Sequence, residues 1–185
     1  MRRLIEIEVE ARSCVACPLA EHRTQVVFGA GNEQADLMFV GEAPGRDEDL
    51  QGAPFVGRSG KLLDRLIAEE LAIDRTGYYI TNVVKCRPPG NRDPQPDEVT
   101  ECRHYLASQV EHVAPRVIVT LGNFATRALL ETPEGITKLR GRVHAYGSIA
   151  LVPTFHPSAA LRGGATVVAD MRADLIRAKR ALGAP

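Results

Sequence analysis

Hydrophobic positions collect in four short, nearly unbroken runs: Leu37–Val40, Tyr79–Val84, Val117–Leu121 and Ile149–Phe155. Each is rich in Val, Ile, Leu or aromatic residues and ends in Gly, Pro or polar residues, the pattern of a buried strand. Unbroken apolar runs, as opposed to strict alternation, predict a parallel sheet covered on both faces. Between and after them the apolar spacing changes to three and four. Leu62, Leu63, Leu66, Ile67 and Leu71 share one side of a helix that Ser59 is placed to cap. Val99, Cys102, Leu106, Val110 and Val113 mark a second helix starting at Asp97. A shorter one, capped by Asn123, runs through Leu130, and a last one turns Val168, Met171, Leu175, Ile176 and Leu182 inward. Alternating strands and helices predict an α/β fold, a three-layer α/β/α sandwich with a central four-stranded parallel sheet. No repeat, low-complexity tract or linker divides residues 1–185, so a single domain is expected.

Composition narrows the possibilities. With 185 residues, 44% hydrophobic and 25% charged, the chain is not wholly disordered and has material for a substantial core. No apolar run approaches the roughly 20 residues that span a bilayer, and the early charges of Met1-Arg-Arg-Leu-Ile-Glu are unlike a secretory signal. Cytoplasmic residence is therefore expected. Lys and Arg (23) balance Asp and Glu (23), which excludes a globally basic nucleic-acid binder while leaving room for a local basic face. Trp is absent and aromatics are 5%, which argues against a broad base-stacking platform.

The four cysteines are Cys14 and Cys17, a Cys-x-x-Cys pair, and the remote Cys86 and Cys102. In a chain expected to stay in a reducing compartment they read as metal ligands or redox groups before disulfides. Together they can close one thiolate site, suited equally to zinc or to an iron–sulfur cluster. Four unrelated core thiols are the plainer alternative, credible for Cys102 on its helix but poor for two loop cysteines so close together.

Polar chemistry follows the strands. In an open parallel sheet, ligands bind beyond the carboxyl ends of the strands. The first strand leads into Gly41-Glu42-Ala43, the second holds Asn82, the third leads into Gly122-Asn123, and the fourth into His156-Pro157-Ser158. A carboxylate, an amide and an imidazole thus share one edge. Singly, each has an ordinary reading: a solvated loop acid, a satisfied buried amide, a turn-capping histidine and, for Phe55, a core aromatic. Two connections, Gly41–Gly60 and Lys85–Pro96, are too long and too rich in Gly and Pro for simple turns. The first gathers the acids Glu42, Asp47, Glu48 and Asp49. Its Gly52–Gly60 end hints at phosphate binding but is not a Walker loop. The second carries Lys85, Arg87 and Arg92 ahead of its single acid, and Lys138, Arg140 and Arg142 form a further basic run. Basic loops beside a polar cleft suit a backbone polyanion, one part of which enters a pocket.

Gly41-Glu-Ala-Pro-Gly45, Glu48-Asp49, Pro54-Phe-Val-Gly-Arg-Ser-Gly60, Thr81-Asn-Val-Val-Lys-Cys-Arg-Pro-Pro89 and His156-Pro-Ser158 resemble, in order, the motifs of family 4 uracil-DNA glycosylases. The resemblance runs from Cys14 to the C-terminal helix. Glu42 separates the chain from the family 5 pattern, and Ala43 from relatives that trap DNA covalently. The resemblance implies a monofunctional DNA-repair hydrolase that flips uracil from single- or double-stranded DNA, acts as a monomer, and releases free uracil, leaving an abasic site. It implies one [4Fe-4S] cluster on Cys14, Cys17, Cys86 and Cys102. Implied for the base are Gly41 and Ala43 by backbone, Phe55 by stacking, Asn82 by its amide and Glu48 by crowding C5. Glu42 and His156 are the implied catalytic residues, with Lys85, Arg87, Arg92, Ser158 and Arg162 toward DNA. An electron-transfer or redox-sensing iron–sulfur protein, and a non-catalytic lesion binder, are the competing classes.

Overall fold

The structure, a computed structural model, describes residues 3–183. Its strands are β1 (Ala30–Gly31), β2 (Leu37–Gly41), β3 (Tyr79–Asn82), β4 (Val117–Leu121), β5 (His144–Tyr146) and β6 (Ile149–Thr154). Its helices are α1 (Leu4–Arg12), α2 (Arg46–Gln51), α3 (Arg58–Leu71), α4 (Pro96–Val113), α5 (Gly122–Leu130), α6 (Ile136–Leu139) and α7 (Pro157–Ala181).

The four expected strands are the parallel centre of a six-stranded sheet ordered β1-β3-β2-β4-β6-β5. The two further strands pair antiparallel at the edges, β1 on β3 and β5 on β6. Alternate residues of each central strand serve opposite faces. Met38, Val40, Ile118 and Leu151 pack with α1, α4 and α5, whereas Leu37, Phe39, Val119 and Val152 pack with α3 and α7. Both faces are dry, which is why the strands read as unbroken apolar runs. All five apolar residues of the α3 stripe are buried, each contributing about 1.5–3 kcal/mol by area.

Three local expectations change. Gly57, not Ser59, precedes the first turn of α3, and Leu121, not Asn123, precedes that of α5. Asn123 Oδ1 instead accepts from the Ile136 amide at 2.6 Å. The last helix begins at Pro157 and is broken at Gly164 (φ 69°, ψ −153°), so the His-Pro-Ser turn is its own first segment. Within α7, Ile176, Val168 and Leu182 are only half-buried; Met171, Leu175 and Ala178 carry the seal.

This topology positions the site. The chain leaves β2 toward β3 on one side and returns to β4 on the other, so a crevice opens beyond their carboxyl ends. The N-termini of α3, α5 and α7 line the same edge, where the helix dipoles favour negative charge.

Candidate active site

A cleft of about 1250 Å³ opens at that edge and is bounded by Glu42, Ala43, Phe55, Asn82 and His156 among others. Gly41 and Asn82 are partners in the β2–β3 register. A Cβ on Gly41 would stand 2.4 Å from Asn82 Oδ1 and 2.5 Å from Phe55 Cζ, so only glycine lets amide and ring meet here. The peptide beyond β2 is fixed by Val83 and Val84, whose amides donate to the carbonyls of Gly41 and Glu42 at 2.9 and 3.1 Å.

Asn82 is 1% exposed, and its Oδ1 has no hydrogen-bond partner. A buried amide oxygen without a donor costs about 1–3 kcal/mol, so this atom is poised to accept one.

Phe55 is held in the left-handed region at φ 55°. Glu48 Oε1 accepts from the amides of Val56 and Gly57 at 3.0 and 2.9 Å. Arg75 donates to the carbonyls of Pro54 and Phe55 and is itself paired with Asp64. Glu48 lines the cleft, and its Oε1 also steadies the loop that presents Phe55. The ring of Phe55 lies 6.0 Å from that of His156, tilted by 36°.

His156 precedes the first turn of α7. The Ser158 amide donates to its Nδ1 at 3.2 Å, with Ser158 Oγ at 2.8 Å. A backbone amide can only donate, so Nδ1 is the acceptor and the ring hydrogen sits on Nε2. Burial, and then the nearby Arg162 cation, push the imidazole pKa down to about 4, so the ring is neutral at physiological pH. Gly122 (φ 92°) makes room for it, since a Cβ there would stand 2.9 Å from His156 Cβ. Glu42 shows the opposite shift. Burial, followed by the like charge of Asp93 and a hydrogen bond with it, raises its carboxyl to about 7.

The basic residues divide. Arg92, Ser158 and Arg162 line the cleft, joined by Arg46, Arg58 and Arg127, which sequence reasoning missed. Arg92 is also paired bidentately with Glu98 at 2.9 and 2.6 Å. Arg87 donates to Asn91 Oδ1 at 2.7 Å and does not line the cleft. Lys85 corrects its expected place at the DNA surface: it is 1% exposed. Its ammonium donates to Thr81 Oγ1, the Asn82 carbonyl and Gln109 Oε1 at 2.7, 2.6 and 2.6 Å. Arg140 likewise turns inward, onto Asp170 and the buried Asp174. Asp49, one of the acids gathered in the first long connection, is 3% exposed and accepts from the Thr24 amide at 2.8 Å.

The four cysteines form no disulfide and line one cavity together with Arg23, Lys85, Glu101 and Tyr105. The Lys85 amide donates to Cys102 Sγ at 3.3 Å and Arg23 Nη1 to Cys86 Sγ at 3.4 Å, contacts that favour charged sulfur. Burial raises the thiols of Cys17, Cys86 and Cys102, that of Cys86 to about 11. Among the described residues, no three Cys, His, Asp or Glu side chains stand close enough to hold a single metal ion. In a four-iron cluster each thiolate ligates its own iron, so the sulfurs surround a void instead of converging. The donor set and its two hydrogen-bonded sulfurs fit such a group.

The model of the uracil DNA glycosylase superfamily matches residues 28–177. A type-4 uracil-DNA glycosylase of Thermotoga maritima is 48% identical over 162 residues, 86% of this chain and 84% of that protein. Those of Sulfurisphaera tokodaii and Archaeoglobus fulgidus are 47% and 45% identical, each over 87% of this chain and 77% and 84% of their own lengths. On its fold, its cleft and these matches, the chain belongs to the uracil DNA glycosylase superfamily, among its type-4 members.

Proposed function

We propose that this protein removes uracil from DNA by hydrolysing its N-glycosidic bond, and that Asn82, Phe55, His156 and Glu42 carry the reaction. The observation that carries the reading is the unpartnered Oδ1 of Asn82 at the floor of a cleft that also holds a neutral imidazole. A uracil flipped from the stack offers N3–H to that oxygen and O4 to the amide nitrogen, with its face on Phe55. Cytosine presents the inverse edge and leaves buried groups unpaired, at about 1–3 kcal/mol each.

As the glycosidic bond breaks, its electron pair goes to the base and the sugar becomes cationic. His156 Nε2–H donates to O2, where charge builds mainly in the transition state. A neutral donor suits an anion of modest basicity, and Ser158 holds the tautomer. Glu42 accepts the proton of the attacking water and favours the cationic sugar; water adds at C1′, leaving an abasic site and free uracil. Arg162, Ser158 and the cleft arginines grip the flanking phosphates of single- or double-stranded DNA. Leu161, 45% exposed between the cleft residues Ala159 and Arg162, is an apolar wedge for the gap left in a duplex. Cys14, Cys17, Cys86 and Cys102 would hold one [4Fe-4S] cluster, which supplies a structural cross-link and no step in the hydrolysis. The enzyme acts as a cytoplasmic monomer.

The test is alkali-sensitive cleavage of a labelled oligonucleotide at a single uracil. Wild-type protein should cleave there, and His156→Ala should be slower by about 10²–10³-fold at equal fold stability. Equal rates for the two would overturn the assignment of His156.

A further inference from the structure

The backbone that presents Phe55 is gripped from behind the cleft. Arg75 lies in the 72–78 connection between α3 and β3, far along the chain from the ring. Its guanidinium donates through Nη1 to the Pro54 carbonyl at 2.9 Å and through Nη2 to the Phe55 carbonyl. Asp64, on α3, aims this fork, its two oxygens accepting from Nε and Nη2 at 2.9 and 3.0 Å. The hydroxyl of the buried Tyr78, at the far end of the same connection, donates to Asp64 Oδ1 at 2.8 Å. The loop can lie so close because Gly60 stands in the first turn of α3. A Cβ there would be 1.7 Å from the Phe55 carbonyl oxygen.

The two carbonyls belong to the two peptides that flank the Phe55 Cα. A rigid, planar fork on both of them therefore fixes φ and ψ of this residue, and with them the direction of its ring. That matters at Phe55 because φ is 55°, a conformation that a residue with a side chain leaves unless held. Glu48 holds the same loop by its amides, at Val56 and Gly57, whereas Arg75 holds it by its carbonyls. Arg75, Asp64 and Tyr78 do not line the cleft. Any effect they have on a base there passes through the loop.

We propose that Arg75 is a positioning residue for base recognition: aimed by Asp64, it fixes both peptides around Phe55 and so holds the stacking ring at the base slot. This rests on the stacking role given to Phe55 above. A lysine at position 75 would keep a positive charge but not the planar fork, and could not hold both carbonyls at once.

The experiment measures single-turnover uracil release, and affinity for a strand carrying an abasic analogue at the same position. It compares wild type, Arg75→Ala, Arg75→Lys, Phe55→Ala and each Arg75 change combined with Phe55→Ala, below the thermal midpoint of every variant. Arg75→Ala should lower kcat/KM for uracil release by about 10–100-fold. Its affinity for the abasic strand, which has no base to stack, should stay within about twofold of wild type. Arg75→Lys should fall between, and carries the same comparison where the Ala variant does not fold. Once the ring is gone, the Arg75 change should cost no more than about twofold further. An undiminished loss in the Phe55→Ala background, or an equal loss on the abasic strand, overturns the proposal. So does a wild-type rate in both Arg75 variants while Phe55→Ala is impaired, which leaves the stacking role intact. A wild-type rate in Phe55→Ala overturns both.

Discussion

Replacing Glu48 by Ala tests how the stacking face is kept in place. Phe55 sits in the left-handed region, at about 1–3 kcal/mol of strain for a residue with a side chain. Opposing that strain are two charge-assisted bonds from the Val56 and Gly57 amides to Glu48, each worth about 1.5–3 kcal/mol, and the Arg75 clamp on the preceding carbonyls. Removing Glu48 leaves the clamp alone against the strain, and the loop relaxes away from the slot. A net loss of about 2–3 kcal/mol corresponds to roughly 30–150-fold in kcat/KM at about 1.4 kcal/mol per tenfold. Glu48→Gln keeps an acceptor but loses the charge, and should fall between. The assay is single-turnover release at increasing enzyme concentration, on uracil-containing and thymine-containing strands. The loss should appear in binding, since a ring that has drifted away no longer stacks. An Ala variant that excises uracil as the wild type does but has begun to excise thymine would refute this, and would make Glu48 a direct guard of C5.

Three further outcomes follow from placement. Lys85→Met should lower stability by about 2–4 kcal/mol in chemical denaturation, because three buried acceptors lose their donor, yet leave the salt dependence of DNA binding unchanged. Arg162→Ala should do the reverse, keeping stability and reducing the slope of log affinity against log salt by about one. Cys86→Ser should lower the iron content of reconstituted protein and its thermal midpoint together, since the cysteine cavity lies between α1, the Lys85–Pro96 connection and α4. Unchanged iron content would remove Cys86 from the ligand set.

The central sheet was legible because burial on both faces leaves a single polar position, Thr120, in β2 and β4 together. The edge strands were not: β1 has two residues and β5 three, partly exposed, too short for any period to register. Likewise α2, Arg-Asp-Glu-Asp-Leu-Gln, has no apolar stripe, and only Asp49 within it is buried. The cysteine grouping and the gathering of Glu42, Asn82 and His156 could be read because chain order and the parallel topology together dictate which strand ends meet.

Partnership is where sequence reading failed, and for one physical reason. A strand end has a fixed place, but whether a charged side chain faces water depends on acceptors that other segments bring to it. Lys85 is buried because Thr81, from the strand just before it, and Gln109, from α4, supply oxygens there. Nothing in Lys-Cys-Arg-Pro-Pro announces them. Glu48, which lines the cleft, also holds backbone because the Val56 and Gly57 amides reach its Oε1.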